Sequence, residues 1–295
     1  MPFFSVIIPT YNRRDAVRRA VGSVLSQTMK DYEIIVIDDG STDGTEESLG
    51  EFGGSIRCIS QEHAGVSAAR NRGISASHGE HLVFLDSDDL WLPDKLFEQQ
   101  RYILGNPRTR IHQTDEIWIR NGRRVNPKNR HRKREGFIFK ESLELCLISP
   151  SAVAMERGLF DEYGLFDENL PACEDYDLWL RITAREFVGL LERHLVIRHG
   201  GHADQLSSRY WGMDRYRVFA IIKLLASGSL RPDENLIECA KTVLLEKCII
   251  LKEGAEKRGN DDFARTIGEI IRQVRGGRYS SIDYQSLAAG EDPPS

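Results

Sequence analysis

The sequence predicts an α/β chain with a mostly parallel sheet, helices on both faces and a helical extension. Three observations carry that expectation. Short apolar runs alternate with segments of helical spacing through the first third of the chain. Two of those runs break abruptly into carboxylates: Glu33-Ile34-Ile35-Val36-Ile37 into Asp38-Asp39, and His81-Leu82-Val83-Phe84-Leu85 into Asp86-Ser87-Asp88-Asp89. From Trp211 onward helical spacing dominates. A buried parallel strand reads as a continuous apolar run, and open α/β sheets bind ligands at the carboxyl edge of their strands. Carboxylates crowded at that edge are costly unless a cation or hydrogen-bond donors offset them. The expectation is a metal-dependent site for a polyanion such as a nucleotide diphosphate.

Each element has its own signal. Phe4 to Ile8 reads as the first strand, and Ala16 to Leu25 as a helix whose Val17, Ala20, Val21, Val24 and Leu25 share one face. Glu33 to Ile37 is the second strand, and the turn Gly40-Ser41-Thr42-Asp43-Gly44 leads into a short helix. Ile56 to Ile59 is a weaker third strand, Val66 to Ala76 a helix of small residues, and His81 to Leu85 the next strand. Leu96 to Leu104 reads as a helix, with Pro93 and Asp94 at its start and Asn106-Pro107 at its end. Ile111 to Arg120 reads as irregular strand closed by an Asn121-Gly122 turn. The basic stretch Arg123 to Arg134 has no apolar period, and a mobile surface loop is expected there. Val218, Ile221, Ile222 and Leu225, then Val243, Leu244, Ile250 and Leu251, mark the helical extension, and Ala288 to Ser295 reads as a disordered tail.

Bulk properties narrow the class. At 295 residues the chain can bury a substantial core, and 40% hydrophobic with 29% charged residues is ordinary for a globular protein. A net charge of −5 argues against general affinity for nucleic acid. The five cysteines (Cys58, Cys146, Cys173, Cys239, Cys248) are odd in number and lack metal-type spacing, which fits reduced thiols better than a disulfide framework. No apolar run is long enough to span a bilayer. The opening Phe3-Phe4-Ser5-Val6-Ile7-Ile8 lacks the basic region and cleavage site of a signal peptide. A cytoplasmic protein is expected, with peripheral contact at the inner face of the membrane left open.

The candidate chemistry sits at the ends of the runs. Thr10, Tyr11 and Asn12 offer a hydroxyl, a ring and an amide suited to a planar base; the competing role is a turn in which Asn12 or Asp15 caps the next helix. Asp38-Asp39-Gly40-Ser41 fits either local turn chemistry or carboxylates accepting from a base N–H and a ribose hydroxyl. Arg70 and Arg72 lie on the small-residue helix; arginine suits diphosphate oxygens, and solvated surface arginines are the alternative. A divalent cation on a diphosphate needs only one or two protein carboxylates, and Asp86 and Asp88 alternate along an extended segment and so share a side. Helix-capping acids would look similar. Glu174, Asp175 and Asp177 open a helical run, either complementing its dipole or providing a general base. In His199-Gly200-Gly201-His202 an imidazole suits a manganese-like ion, although loop histidines are more often structural or exposed.

Taken together these blocks resemble glycosyltransferase family 2, the group with a nucleotide-diphospho-sugar-binding GT-A fold. The resemblance runs through Ser5-Val6-Ile7-Ile8-Pro9-Thr10-Tyr11-Asn12, Ser26-Gln27-Thr28, Glu33 to Asp43, Gly65 to Gly73, Phe84 to Asp89 with Pro93-Asp94-Lys95-Leu96, Phe166-Asp167-Glu168 and Glu174 to Arg181. It covers roughly Phe3 to Ser207, leaving out the basic stretch and the helical tail. It implies that Thr10, Tyr11 and Asp39 hold the base of a donor, in the first instance a UDP-sugar. Asp88 and Asp89 would serve the ribose and the metal–diphosphate, with Asp86 in support and Arg70 toward the base or phosphates. The implied cation is Mn or Mg, held by Asp88 and Asp89, and His202, read from its own imidazole chemistry, could complete the shell. Asp175 would be the base that deprotonates an acceptor hydroxyl, with Glu174, Asp177 and Trp179 on the acceptor side and inversion at the anomeric carbon. The membrane helices and Gln-x-x-Arg-Trp signature of processive members are missing from the sequence. The implied protein is a non-processive transferase of surface-glycan or polysaccharide biosynthesis, acting on a glycan, lipid-linked or other hydroxyl acceptor, with a homo-oligomer open.

The expected division is a catalytic domain over 1–207, a helical extension over 208–280 and a tail over 281–295. A sugar-phosphate nucleotidyltransferase is the rival enzyme, and it would need a glycine-rich loop where Pro9-Thr10-Tyr11-Asn12-Arg13 stands. A non-catalytic nucleotide-sugar-binding protein is the third reading.

Overall fold

The structure, a computed structural model, describes residues 1–201, 210, 212–283 and 287. The strands are β1 (Phe4–Thr10), β2 (Tyr32–Asp38), β3 (Arg57–Ser60), β4 (His81–Phe84), β5 (Leu90–Trp91), β6 (Ile111–Arg120), β7 (Arg123–Val125), β8 (Val153–Glu156) and β9 (Val188–Gly200). The helices are α1 (Arg14–Leu25), α2 (Thr45–Leu49), α3 (Val66–Ala76), α4 (Lys95–Gly105), α5 (Phe139–Glu144), α6 (Gly158–Tyr163), α7 (Glu174–Thr183), α8 (Asp214–Ser227), α9 (Glu234–Lys257) and α10 (Asp261–Arg275). The described residues fall into two compact units. One comprises Met1–Phe137, Leu147–Glu168 and the described part of Glu186–Ala203; the other comprises Ile138–Cys146, Asn169–Arg185 and the described part of Asp204–Ser295.

In the first unit the sheet order among the described residues is β3-β2-β1-β4-β8-β6-β9-β5, with β7 added on β6. The block β3-β2-β1-β4 is parallel throughout. Beyond it the sheet is mixed: β8 runs antiparallel to both β4 and β6, β9 parallel to β6, and β5 antiparallel to β9. Alternation along the parallel strands covers both faces. Val6, Ile8, Ile34 and Val36 pack with Val17, Val21 and Val24 of α1, while Ile35 and Ile37 pack with Ala69 of α3. The register sets Thr10 beside Asp38 and Ile7 beside Phe84, so the carboxyl ends of β2, β1 and β4 open at one edge.

The small residues of α3 have a packing cause. A Cβ on Gly73 would stand 2.4 Å from Cγ2 of the buried Ile7, so only glycine lets α3 lie this close to β1. In an exposed helix Gly→Ala gains roughly 1 kcal/mol. Here the clash reverses the sign, and Gly73→Ala is expected to destabilise by about 1–2 kcal/mol, read as a lower denaturant midpoint.

The second unit is helical. Phe139 and Leu143 of α5, Tyr176 and Leu180 of α7, and Tyr216, Phe219 and Ile222 of α8 share one core with Leu244, Cys248, Ile267 and Val274 of α9 and α10. Asp233 caps α9 by accepting the N–H groups of Asn235 and Leu236, and Asn260 caps α10 through Phe263 N–H. The helical core thus draws on α5 and α7 as well as on the extension legible from Trp211. Of the tail 281–295, only 281–283 and 287 are described. Among the described residues no helix is long and apolar enough to cross a membrane.

The basic stretch is more ordered than its composition implies. Its first residues form β7, paired antiparallel with β6. Lys133 is buried and held by Glu116 at 3.2 Å, so a charge partner on a strand, invisible to periodicity, anchors what reads locally as a loop.

Candidate active site

At the open edge of the first unit, β1 ends in Thr10, buried, with its hydroxyl lacking a hydrogen-bond partner. An unpaired buried hydroxyl costs free energy, and one at a sheet's carboxyl edge is placed to bind a ligand atom. Tyr11 follows, partly exposed, with its ring stacked on His63 at 3.9 Å between centroids. Asn12 adopts a positive φ of 49° and cross-braces the neighbouring turn: its N–H donates to Ser41 Oγ (2.8 Å), and its Oδ1 accepts from Thr42 N–H (2.8 Å). Gly40, at φ 81°, is needed because a Cβ there would meet His63 N at 2.9 Å.

Asp39 is buried and faces the loop before α3. Its Oδ1 accepts from Ala64 N–H (2.9 Å) and Gln61 Nε2 (2.7 Å), its Oδ2 from Gly65 N–H (2.8 Å), and His63 Nδ1 lies 2.8 Å from Oδ2. Asp39 therefore shapes the platform on which Tyr11 and His63 stack. Arg70, from α3, is buried over the Phe166 ring and donates to Asp86 Oδ1 at 2.8 Å. Arg72, two residues on, is exposed.

The three aspartates after β4 are not equivalent. Asp86 and Asp88 are half-buried, paired with Arg70 and with Arg13 (2.8 Å) respectively. Asp89 is buried, its Oδ2 accepting from Ser151 Oγ (2.6 Å) and its Oδ1 from His199 N–H (2.9 Å). Ser151 Oγ also accepts from Asp86 N–H, so one hydroxyl braces both ends of the turn. Burial, then the charges of Asp88 and Asp86, push the Asp89 carboxyl well above the usual carboxylate range despite Arg198 and Ser151.

Whether a divalent cation fits can be tested on these residues. Among the described residues no group of three or more His, Cys, Asp or Glu is arranged to hold a metal ion by itself. A cation shared with a diphosphate asks for only one or two carboxylates, and half-buried Asp86 and Asp88 meet that demand in number. Asp89 already has both oxygens engaged within the protein. His199 joins the turn through its backbone, and His202 lies outside the described residues.

In the second unit α7 opens after Cys173, which takes a left-handed φ of 62°. Four side chains that the resemblance assigns there have different surroundings. Glu174 and Trp179 are buried. Asp177, also buried, binds Arg181 (2.8 Å) and Lys223 (3.0 Å). Asp175 is half-buried; its Oδ1 accepts from Tyr176 N–H (2.7 Å) and its Oδ2 from Cys146 Sγ (3.4 Å). Burial, reinforced by Asp175, pushes the Cys146 thiol well above its usual range, so it stays a donor.

The partners Arg13, His63, Ser151 and Cys146 were not assigned roles from sequence. Arg13 directly follows Thr10-Tyr11-Asn12 and could have been found there. Ser151 and Cys146 lie 62 and 29 residues from the acids they hold, with no local signal.

Comparison with known proteins decides the family. The sequence profile described as "Glycosyl transferase family 2" matches residues 5–164. The chain belongs to glycosyl transferase family 2. An uncharacterized glycosyltransferase of Rickettsia felis is 35% identical to this family-2 chain over 199 residues, 65% of the chain and 32% of the relative. The chain spans about a third of the length of the first curated relatives it matches. The Escherichia coli enzyme named UDP-Glc:alpha-D-GlcNAc-diphosphoundecaprenol beta-1,3-glucosyltransferase WfgD is 32% identical over 183 residues, 60% of the chain and 68% of the relative. Among solved structures, residues 1–349 of S. aureus TarS in complex with UDP-GlcNAc superpose with a TM-score of 0.63 at 17% identity, covering 97% of this chain and 90% of that one. The mannosyltransferase PcManGT of Pyrobaculum calidifontis, solved with GDP-Man and Mn2+, gives 0.57 at 16% identity, covering 98% and 86%. These likenesses establish the GT-A fold of the family-2 chain.

Proposed function

We propose that the chain transfers one sugar from a nucleotide-diphospho-sugar to an acceptor hydroxyl, with inversion and with the aid of a divalent cation. The observation that carries this reading is the convergence at one sheet edge of an aromatic platform, a buried unpaired hydroxyl and two half-buried carboxylates. Tyr11, stacked on His63, offers a face for the base, and Thr10 Oγ1 a hydrogen bond. Asp39 fixes the loop that completes this platform. Asp86 and Asp88 would serve the diphosphate side, and Arg70 and Arg13, bound to them, have guanidinium groups suited to phosphate oxygens. A bound Mn or Mg supplies charge neutralisation to the departing diphosphate; Asp88 would hold it, with Asp86 in support and Asp89 bracing the turn. The role given to His202 rests on its sequence alone.

Asp175 takes the acceptor proton. Two hydrogen bonds orient its carboxylate in the first turn of α7. Removing the proton as the hydroxyl attacks the anomeric carbon, opposite the departing diphosphate, gives inversion in one displacement. Buried Glu174, Asp177 and Trp179 would support the acceptor side by holding α7 in place. The names of relatives support the substrate class: a nucleotide-sugar donor, and an acceptor of the diphosphate-linked lipid type.

A thermal-shift panel of UDP- and GDP-sugars, with and without Mn2+, tests the donor half. A ligand at about a hundred times its Kd stabilises by roughly 2.7 kcal/mol, a shift of several degrees. The expected result is a shift for one nucleotide class, enlarged by the ion. No ion-dependent shift with any nucleotide sugar would sink the donor site.

A further inference from the structure

The basic stretch is a fixed band that starts in β7, paired with β6, and ends at Gly136, bridged to β9. Arg120 pairs with Arg123 at the carboxyl end of β6. The His131 ring meets Trp118 edge-on at 5.5 Å, and Lys133 Nζ binds Glu116 (3.2 Å) and Ser149 Oγ (3.0 Å). The Arg134 carbonyl accepts from Gln113 Nε2 (3.2 Å), and Gly136 bridges to Val188, the partner of Ile111. These contacts retrace β6 from end to end, roughly 30 Å at the rise of a strand.

Along the band Arg123, Arg124, Lys128, Arg130 and Arg132 are exposed. No acidic residue occurs from Ile117 to Arg134, in a chain whose net charge is −5. Glu116 offsets Lys133, which is buried, and leaves the exposed cations in place. The band then passes exposed Glu135, which accepts from Tyr102 Oη (3.2 Å), and ends at Phe137, a large hydrophobic residue 72% exposed, packed edge-on against the partly exposed Phe187 at 5.7 Å. Cations held at fixed spacing, followed by an exposed aromatic pair, match the two demands of an anionic lipid interface. The positive charges meet the headgroups, and their contributions sum. The aromatic rings occupy the boundary between headgroup and acyl chain.

We propose that this band docks the chain on an anionic bilayer surface, with Arg123, Arg124, Lys128, Arg130 and Arg132 at the headgroups and Phe137 inserted beside them. Docking is independent of the catalytic reading, since none of these residues belongs to the donor edge or to α7.

Flotation of the full chain with phosphatidylcholine vesicles, with and without phosphatidylglycerol, tests it. Binding is expected only with phosphatidylglycerol and should weaken as salt rises. The triple substitution Arg123→Ala, Arg124→Ala, Arg130→Ala should weaken it about a hundredfold. Phe137→Ser should weaken it about tenfold, and this loss should persist at high salt. Lys128→Ala with Arg132→Ala, at the middle of the band, provides an independent pair should the triple variant fold poorly. The proposal is overturned if anionic vesicles fail to bind, if neutral vesicles bind equally, or if the charge variants bind as tightly as the parent. Binding to heparin without binding to vesicles would point to a dissolved polyanion and also overturn it. The donor-dependent thermal shift of the variants reports separately on the transferase reading.

Discussion

Asp175→Asn is expected to abolish sugar transfer while leaving donor binding unchanged. A positioned general base contributes roughly 10²–10⁴-fold, so kcat should fall by about a thousandfold. The substitution is nearly isosteric. The amide oxygen can still accept from Tyr176 N–H, which in the parent donates to Oδ1 at 2.7 Å, so α7 keeps its first turn. What disappears is the capacity to take a proton. Cys146 cannot replace it, because burial, the largest cause of its raised pKa, persists without the Asp175 charge and keeps the thiol protonated. Donor affinity, read by the nucleotide-sugar thermal shift, rests on residues of the first unit and should match the parent. Steady-state transfer assays and the shift assay together separate the outcomes. Transfer at the parent rate would remove Asp175 from the mechanism, whereas loss of donor binding as well would mean that the substitution disturbed more than a base.

The parallel half of the fold was legible because its signals are local. β1, β2 and β4 are short apolar runs, α1 and α3 have one covered face, and each element lies within a few residues of where the periodicity puts it. The mixed half was not, for two reasons. Apolar runs identify a strand without saying which way its partner points, so the antiparallel pairing of β8 with β4 and β6 had no signal. In β6 the residues His112, Gln113, Thr114 and Glu116 are buried although polar, and the pairing with β9 shifts register on both sides of Asp115. That is why a ten-residue strand reads as irregular. The site divides the same way. Thr10, Tyr11, Asp39, Asp86 and Asp88 follow strand ends and could be read in place. The groups that give each its surroundings, Ser151 for Asp89 and Cys146 for Asp175, come from distant segments brought near only by packing.

The interior of β6 yields the largest expected effect on stability. Glu116 is buried and gathers Lys133 at 3.2 Å, Trp118 Nε1 at 2.9 Å, the Ser149 hydroxyl and, at 3.8 Å, Arg198. Burial alone would raise its pKa, yet the charges of Lys133 and Arg198 and the Trp118 hydrogen bond outweigh burial and hold it below the usual range. Glu116→Ala strands a buried ammonium, and breaking a buried pair from one side costs about 3–5 kcal/mol. Lys133 sits on a connecting segment that can peel outward to regain water, which favours the low end. About 3 kcal/mol corresponds to roughly 6–12 °C in the melting temperature of a unit of this size. The sign of the pH dependence follows from the depressed carboxyl. Its contribution is complete above the unfolded value near about 4.3 and disappears as pH falls through the folded value. The gap in melting temperature between parent and variant should therefore be widest near neutrality and close in acid. A gap that stayed constant into acid would show that packing, and not the ion pair, is what the substitution removed. Trypsin supplies a local readout, since every Lys and Arg from Arg123 to Arg134 becomes a better target once Lys133 lets go. Faster cleavage there, at temperatures below the melt, is the expected mark of a band that this one buried carboxylate holds against the sheet.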